Sequence, residues 1–424
     1  MDKFVIEGGE RLTGNVKISG SKNAALPILA ATLLQKGVYE IENVPKLKDI
    51  NTMSKLLTVL GAKVQWTKEG VLQVDTTGVE NYVAPYELVK QMRASVLVLG
   101  SLTGGLKRAV VSYPGGCAIG ERPINLHIQG LQALGCDVTI KEGYVDVNAK
   151  KLKGTRIRFD TTTVGGTENI MMAAVLAKGE TIIENAAREP EVVDLARMLK
   201  KMGAKIEGEG TEIIKIKGVD ELTSCKYRVI PDRIETGTFL IACGITRGNI
   251  LIEGCNPGHI KALLDKLKEA GMDIVEDGDT IKASMTKKRA SAVDIKTAPY
   301  PGFPTDMQAQ IMALMTVSRG VSAITETIFE NRMMHAAELR RMGADIKVIG
   351  NTAIVRGVKM LSGAKVMATD LRASASLILA GLTAYGKTEI SRIYHLDRGY
   401  EAIEEKLKKL GAKIERVKDE GLEA

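Results

Sequence analysis

Residues 60–64 read LGAKV, and variants of this five-residue pattern occur at five further places in the chain. They begin at Leu134, Met202, Ala270, Met342 and Leu410, so that their glycines lie 68 to 74 residues apart. Recurrence at a steady period of this length is typical of repeated structural units. The sequence therefore predicts six copies of one unit of about 70 residues.

Each copy of the pattern marks the end of an outer helix. Before Gly61, the apolar residues Met53, Leu56, Leu57 and Leu60 fall on one face of a helix. A glycine just past a helix favours left-handed backbone, because it has no Cβ. We therefore expect an amphipathic helix, a glycine that ends it and then a strand.

A second, almost wholly apolar helix recurs at the same period and is followed by a turn and a strand. Such a helix has no polar face for solvent, so it must be buried on all sides. Each repeat thus predicts an inner buried helix, an outer amphipathic helix and several strands. The six segments are LPILAATLLQKGVYEI from Leu26, SVLVLGSLTGGLKRAVV from Ser95, NIMMAAVLAKGETIIE from Asn169, FLIACGITRGNILIE from Phe239, IMALMTVSRGVSAITE from Ile311 and LILAGLTAYGKTEIS from Leu377.

The 424 residues are expected to form two α/β domains of three repeats each. Six units exceed what one hydrophobic core usually supports, and we place the first break near 227–231. Residues 1–19 are strand-like and precede the first repeat, so we expect them to complete the second domain. The first domain is then 22–229, and the second combines 1–21 with 230–424, so that the chain crosses between domains twice.

Composition narrows the classes of function. No apolar stretch reaches the ~20 residues that span a bilayer, and the acidic start MDKFVIEGGE does not resemble a signal peptide, so we expect a cytoplasmic protein without a membrane segment. Five cysteines without CxxC spacing and four scattered histidines disfavour disulfides and a histidine-built metal site. The net charge of +8 favours anionic partners, while 4% aromatic residues disfavour stacking on nucleic acid.

Cations stand where the buried helices begin. Lys22, Arg93, Arg233 and Arg372 occupy helix starts, where their charge opposes the helix dipole. Cations beside free helix N–H groups form an anion receptor, and this pattern predicts a polyanionic ligand between the domains. The alternative is that these cations pair with the nearby acids Asp232, Asp306 or Asp370.

Three single residues have a structural and a functional interpretation. Cys117 lies in the glycine-rich segment PGGCAIGERP, either as a structural thiol or poised for acid–base or nucleophilic work. Asp306 either caps a helix or acts chemically. His127 shares a helical face with leucines, which favours a half-buried structural histidine. Cys136 and Cys243 are expected to be structural residues that pack in the core and take no part in chemistry.

Several separated motifs resemble the enolpyruvyl transferase family, in the branch that acts on UDP-N-acetylglucosamine. The resemblance covers essentially the whole chain and implies an α/β fold of two inside-out domains (prisms), each of three repeats, with the substrates bound in the cleft between them. The motifs are GSKNAALPILAA from Gly20, PGGCAIGERPINLH from Pro114, ENAAREPEVVD from Glu184, GFPTDMQAQ from Gly302, TETIFENRMMHAAEL from Thr325, ATDLRASASLILAG from Ala368 and RIYHLDRGYE from Arg392.

The resemblance also implies a reaction and its residues. Enolpyruvate passes from phosphoenolpyruvate to the 3-hydroxyl of UDP-N-acetylglucosamine, the first committed step of peptidoglycan synthesis, with no metal or organic cofactor. Cys117 would protonate the methylene carbon, Asp306 would take the hydroxyl proton, and Lys22 would also be catalytic. Family members with this loop cysteine are alkylated there by fosfomycin. The implied substrate-binding residues are Lys22, Asn23, Arg93, Arg122, Pro123, Ile124, Asn125, Leu126, Thr163, Asp306, Ile328, Arg332, Arg372 and Arg398.

Two other functions remain open from the sequence. The shikimate-pathway branch of the family shares the six-repeat architecture and phosphoenolpyruvate, but not the PGGCAIG loop. A basic nucleic-acid-binding protein is the alternative outside the family, because RNA-end cyclases use a related repeat. It predicts affinity that falls steeply with salt and no turnover of small molecules.

Overall fold

The computed structural model describes residues 2–113 and 124–418. Within these ranges no helix is long and apolar enough to cross a bilayer. The strands are β1 Asp2–Glu7, β2 Thr13–Lys17, β3 Val38–Glu42, β4 Lys63–Lys68, β5 Val71–Asp75, β6 Val83–Ala84, β7 Arg108–Ser112, β8 Asp137–Lys141, β9 Tyr144–Asn148, β10 Arg156–Arg158, β11 Glu180–Glu184, β12 Lys205–Glu207, β13 Ile213–Lys217, β14 Lys226–Arg228, β15 Asn249–Glu253, β16 Asp273–Asp277, β17 Thr280–Ser284, β18 Ile295–Lys296, β19 Val321–Thr325, β20 Asp345–Ile349, β21 Thr352–Arg356, β22 Lys365–Met367, β23 Lys387–Ser391 and β24 Lys413–Lys418.

The α-helices alternate with these strands, and short 3₁₀ turns precede several of them. They are α1 Lys22–Ala31, α2 Lys48–Val59, α3 Tyr86–Val89, α4 Val98–Leu106, α5 Asn125–Ala133, α6 Val164–Ala174, α7 Pro190–Lys201, α8 Arg233–Thr246, α9 Lys261–Glu269, α10 Gln308–Thr316, α11 His335–Arg341, α12 Leu371–Thr383 and α13 Ile403–Lys409.

Six sheets of four strands share one pairing pattern in the described residues. Each has one parallel pair at an edge and two antiparallel pairs, as in the order β10-β11-β13-β12. This common pattern confirms the six predicted repeats. The N-terminal strands pair far along the chain, β1 with β23 and β24, and β2 with β15.

The chain divides into two compact units. We call 20–113 with 124–230 the N-terminal unit, and 2–19 with 231–418 the C-terminal unit. Each has its own hydrophobic core, to which α1, α4 and α6 contribute in the first and α8, α10 and α12 in the second. These are the apolar helices that the sequence predicts to be buried, and α8 is buried from Ile234 to Thr246.

The sheets enclose these helices because their central strands alternate buried apolar residues with more exposed ones. In β13, Ile214 and Ile216 are buried while Lys215 and Lys217 are exposed. A two-residue alternation gives a sheet one face for the core and one for water. An arrangement with helices inside and sheets outside therefore follows from a period of two in the strands and from helices without a polar face.

One predicted helix start is wrong. The apolar segment that predicts the third buried helix starts at Asn169, whereas α6 begins at Val164. Thr163 is the cap, and its side chain accepts a hydrogen bond from the N–H of Gly166 at 3.2 Å. The helix thus begins earlier because a threonine cap outweighs the poor helix propensity of the two glycines that follow it.

The six glycines at the helix ends behave as predicted. Each follows the C-cap residue of an outer helix and has a φ between 88° and 108°. We expect Gly203→Ala to cost about 1 kcal/mol, since a Cβ there meets none of the described residues within 4 Å and only the left-handed backbone is penalised. Gly61→Ala should cost more, because its Cβ would lie 2.6 Å from the carbonyl oxygen of Gly78. Urea unfolding followed by Trp66 fluorescence measures both, and equal losses would contradict the steric argument.

Candidate active site

Asp306 lies between two buried arginines in the C-terminal unit. It belongs to a 3₁₀ turn, Thr305–Met307, that leads into α10. Its carboxylate accepts hydrogen bonds from Arg332 Nη2 at 2.8 Å, and from Arg372 Nη2 and Nε at 2.8 and 3.1 Å. The N-cap residue of this turn is Pro304 and that of α10 is Met307, so the capping interpretation of Asp306 is wrong. The pairing alternative is correct for Arg372.

The other two acids that were predicted to pair with these cations cap helices instead. Asp232 and Asp370 accept hydrogen bonds from the first N–H groups of α8 and α12 respectively. A carboxylate at this position satisfies free helix donors and compensates the positive end of the dipole. These caps allow a cation to occupy the first turn of each helix.

The charges of this cluster reinforce one another. Burial by itself raises the pKa of the Asp306 carboxyl, but the charges of Arg372 and Arg332 outweigh it and hold that pKa well below its ordinary value. Burial opposes the charge of Arg372, yet Asp306 raises the pKa of that guanidinium above its ordinary value. Within the described residues, the buried Nη1 of Arg372 has no hydrogen-bond partner. An anion could therefore take a donor here without breaking an existing bond.

Lys22 forms a second buried ion pair, in the N-terminal unit. It is the first residue of α1, which Ser21 caps by accepting from the N–H of Ala24. Its ammonium lies 3.2 Å from the carboxylate of Asp49, and both residues are buried. Asn23 is exposed beside it. Asp49 is not predictable from the sequence, because an acid in the first turn of α2 resembles an ordinary dipole-compensating residue.

His127 is fully buried rather than half-buried and is held in one tautomer. Asn169 accepts the N–H of Gly100 with its side-chain oxygen, so its amide nitrogen must donate to His127 Nδ1 at 2.7 Å. Burial and the nearby charge of Arg93 lower the pKa of the histidine to about 4. It therefore stays neutral at physiological pH and serves structure.

Because the pKa of His127 is lowered, we expect the N-terminal unit to lose stability in acid. Its folded pKa of about 4 lies below the ordinary 6.5, so its contribution is present above pH 6.5 and is lost as the pH falls towards 4. We expect the N-terminal unit to lose about 2 kcal/mol from this residue between pH 7 and 5. In His127→Gln, whose amide oxygen can still accept from Asn169, that part of the loss should vanish. Unfolding followed by Trp66 fluorescence tests this, and an unchanged pH dependence would contradict it.

The remaining predicted site residues differ in their position and exposure. Cys117, Arg122 and Pro123 lie outside the described residues. Thr163 is the α6 cap, and Arg398 ends the 3₁₀ turn Ile393–Arg398. Asn125 is exposed at the start of α5, Leu126 is half-buried, and Ile328 is 36% exposed.

Ile124 and Arg233 have surroundings that the sequence does not predict. The side chain of Ile124 is 1% exposed and belongs to the core, so only its backbone could contact a ligand. Arg233, a cation at a helix start, lies over the ring of Tyr300, 5.7 Å from its centroid.

The comparisons with known proteins decide the family. The family model described as EPSP synthase (3-phosphoshikimate 1-carboxyvinyltransferase) matches residues 6–407. The UDP-N-acetylglucosamine 1-carboxyvinyltransferase of Geobacter metallireducens is 60% identical, over 99% of this chain and all of that protein. The enzyme of the same name from Thermodesulfovibrio yellowstonii is 59% identical over the same shares. This chain belongs to the enolpyruvyl transferase family.

Solved enolpyruvyl transferases share its fold. The crystal structure of the enolpyruvyl transferase NikO from Streptomyces tendae matches with a TM-score of 0.89 and 26% identity, covering 98% of this chain and 99% of that one. EPSP synthase from Acinetobacter baumannii matches with a TM-score of 0.77 and 16% identity over 99% of this chain and all of that one, which shows the fold alone. The expected inside-out α/β fold is thereby confirmed.

Two polar residues that the sequence did not predict support the cluster of Asp306, Arg332 and Arg372 in this enolpyruvyl transferase. The side-chain amide of Gln310 donates to the backbone carbonyl of Asp306 at 2.8 Å and lies 3.2 Å from the hydroxyl of Tyr400. The Arg372 guanidinium lies over the Tyr400 ring, 5.5 Å from its centroid. The one available signal is that glutamine and tyrosine are unusual on a buried face.

Proposed function

We propose that this protein transfers the enolpyruvyl group of phosphoenolpyruvate to the 3-hydroxyl of UDP-N-acetylglucosamine and releases phosphate, as the first committed step of peptidoglycan synthesis. The observation that carries the proposal is 56–60% identity, over nearly the whole chain, to proteins named for this reaction. EPSP synthases of known structure share only 16–17% of its residues. The shikimate branch is therefore the weaker candidate.

The reaction is an addition followed by an elimination. A proton is added to C3 of phosphoenolpyruvate, and the sugar hydroxyl forms a bond to C2 as it loses its own proton. C2 then carries the sugar oxygen, the phosphate and the carboxylate. In the second step C3 loses a proton, the double bond re-forms, and the bond from C2 to the phosphate oxygen breaks. The enzyme therefore needs an acid, a base and cations for two anionic groups.

Asp306 is our candidate for the base. Clamped between Arg332 and Arg372, it is a weak proton acceptor, because both charges lower its pKa. A phosphate or carboxylate that takes donors from these arginines reduces the positive charge around Asp306. The carboxylate then becomes a stronger base when phosphoenolpyruvate is present. Asp306 is therefore expected to accept a proton readily only when phosphoenolpyruvate is bound.

The cations are our candidates for holding phosphoenolpyruvate. Arg372 offers Nη1 without giving up its pair with Asp306. Arg332 is 6% exposed and already oriented by two hydrogen bonds, to Thr305 and Asp306. Preorganised cations in a site from which water is excluded stabilise developing charge better than water does. Lys22, Arg93, Arg122 and Arg398 complete the proposed set.

For the nucleotide sugar, we propose contacts from Asn23, residues 122–126, Thr163 and Ile328. Asn23 is exposed and could donate and accept hydrogen bonds. Residues 122–126 would lie along the nucleotide, with Ile124 contributing only its backbone, and Thr163 would lie nearby. Ile328 would contact the sugar. We retain the domain division 22–229 against 1–21 with 230–424 as part of this proposal; the compact units described above support it.

The test is phosphate release from phosphoenolpyruvate with different acceptors. We expect release with UDP-N-acetylglucosamine and none with shikimate 3-phosphate. Turnover of shikimate 3-phosphate alone would overturn the proposal. Salt-sensitive binding to nucleic acid without turnover would favour the nucleic-acid-binding alternative.

The proposal includes a cytoplasmic location. Both substrates carry several negative charges, and charged groups do not cross a bilayer unaided because of the cost of desolvation. An enzyme that consumes them is expected where they are made. Fractionation of cells with an antibody against the protein measures this, and recovery outside the cytoplasm would contradict it.

A further inference from the structure

Glu326 is a buried carboxylate in the C-terminal unit that the proposed mechanism does not use. It follows β19 and begins the segment that carries Ile328 and Arg332. It is 2% exposed. A buried carboxylate is costly unless its oxygens are hydrogen-bonded, so its partners show what it orders.

Its two oxygens have separate partners. Oε1 accepts from the Thr297 hydroxyl at 2.9 Å and from the backbone N–H groups of Ile328 and Phe329 at 2.8 and 3.3 Å. Oε2 accepts from the Thr305 hydroxyl at 2.8 Å. One carboxylate therefore ties the segment after β19 to the turn that contains Asp306.

The Thr305 hydroxyl continues this chain of hydrogen bonds to Arg332. A hydroxyl has one hydrogen, and the guanidinium of Arg332 can only donate. Thr305 must therefore give its hydrogen to Glu326, which leaves its oxygen lone pairs for Arg332 Nη1 at 2.7 Å. Glu326 thus takes the hydrogen of Thr305 and keeps the hydroxyl oxygen free as the acceptor that orients Arg332.

We propose that Glu326 is a positioning residue, which orients Arg332 through the Thr305 hydroxyl and fixes the backbone at Ile328. It touches no substrate itself. This inference rests on the proposed function, in which Arg332 holds phosphoenolpyruvate and Ile328 contacts the sugar. It adds that one buried carboxylate, through one hydroxyl, orients the donor that receives phosphoenolpyruvate.

Glu326→Gln tests the direction of the hydrogen bonds without changing the size of the side chain. Three donors surround the Oε1 position, so the amide oxygen should occupy it and the NH₂ group should face Thr305. Thr305 then accepts from the amide, which competes with Arg332 for the hydroxyl oxygen, and its own hydrogen loses Glu326 as acceptor. We expect KM for phosphoenolpyruvate to rise ~10-fold or more, as for a lost hydrogen bond to a charged group. KM for UDP-N-acetylglucosamine should stay within about 2-fold, because the backbone contacts at Oε1 are kept.

The chain offers a matched control and a conservative variant. Glu330→Gln makes the same chemical change at an exposed position of the same segment and should leave both KM values unchanged. Thr305→Val should reproduce the rise in KM for phosphoenolpyruvate, while Thr305→Ser, which keeps the hydroxyl, should not. Adding Glu326→Gln to Thr305→Val should have no further effect on KM, since the relay is already broken.

The outcomes separate this inference from the proposed function. An unchanged KM for phosphoenolpyruvate in Glu326→Gln, or additive effects in the double variant, would overturn the role of Glu326. If Glu326→Gln does not fold, the Thr305→Val and Thr305→Ser pair decides. If the wild-type protein does not use UDP-N-acetylglucosamine, the proposed function fails by itself. A crystal structure of Glu326→Gln then tests the inference, which an unchanged contact between Arg332 and Thr305 would overturn.

Discussion

Replacement of Asp306 by asparagine is expected to lower turnover ~10³-fold, within the usual range for loss of a positioned general base. An amide cannot take the proton of the sugar hydroxyl. It also removes the negative charge that now pairs with Arg332 and Arg372, so both arginines gain capacity for an anionic substrate. We therefore expect the loss in kcat, with KM for phosphoenolpyruvate unchanged or lower. Steady-state phosphate release measures both constants.

Two controls make this result specific. Asp265→Asn removes an exposed carboxylate of α9 in the same unit and should leave kcat unchanged. Thermal unfolding of Asp306→Asn shows whether two arginines without their shared partner destabilise the unit. A folded Asp306→Asn protein with nearly normal kcat would remove Asp306 from the role of base.

The second large effect is expected at Cys117, the proposed acid for C3. Cys117→Ser should lower turnover ~10²-fold or more, because a hydroxyl is a far weaker acid than a thiol. Cys117→Asp should retain activity, since a carboxylic acid can still donate a proton. The same variant should abolish alkylation by fosfomycin. Nearly normal turnover of Cys117→Ser would contradict this role, and an inactive Cys117→Asp would indicate thiol chemistry instead.

The thiols of the other four cysteines are expected to react poorly with fosfomycin. Burial raises the pKa of the thiols of Cys136 and Cys255 to about 11 and of Cys243 to about 12, and it also raises that of Cys225. A thiol without thiolate character is a poor nucleophile. Mass analysis of the labelled protein should therefore find one modified cysteine, at Cys117. Cys225 is half-buried, and Cys225→Ser is the control that should leave the labelling unchanged.

Much of the fold can be predicted from the sequence, because local rules determine it. A glycine after an amphipathic helix predicts left-handed backbone, as at Gly61, and an apolar segment such as 239–246 predicts burial on all sides. Both rules concern single elements and need no knowledge of packing. The start of α6 was missed because its cap, Thr163, precedes two glycines that resemble a loop.

The candidate site is only partly predictable. The positions of Lys22 and Arg372 at helix starts follow from the helix pattern. Their partners do not, because Asp49 lies 27 residues from Lys22 and Asp306 lies 66 residues from Arg372 in the chain. Glu326 is harder still, since its importance arises from three segments that the fold brings together. Pairing across distant segments is a property of tertiary packing.

The central claim is that the sugar oxygen adds to C2 of phosphoenolpyruvate while C3 is protonated, and that phosphate leaves afterwards. The most direct measurement is the reaction in deuterium oxide with UDP-N-acetylglucosamine, followed by mass analysis of the product and a phosphate assay. The account predicts deuterium in the vinyl group of an enolpyruvyl UDP-sugar and one phosphate for each product molecule. Product formed without deuterium, or phosphate released without an enolpyruvyl sugar, would contradict it.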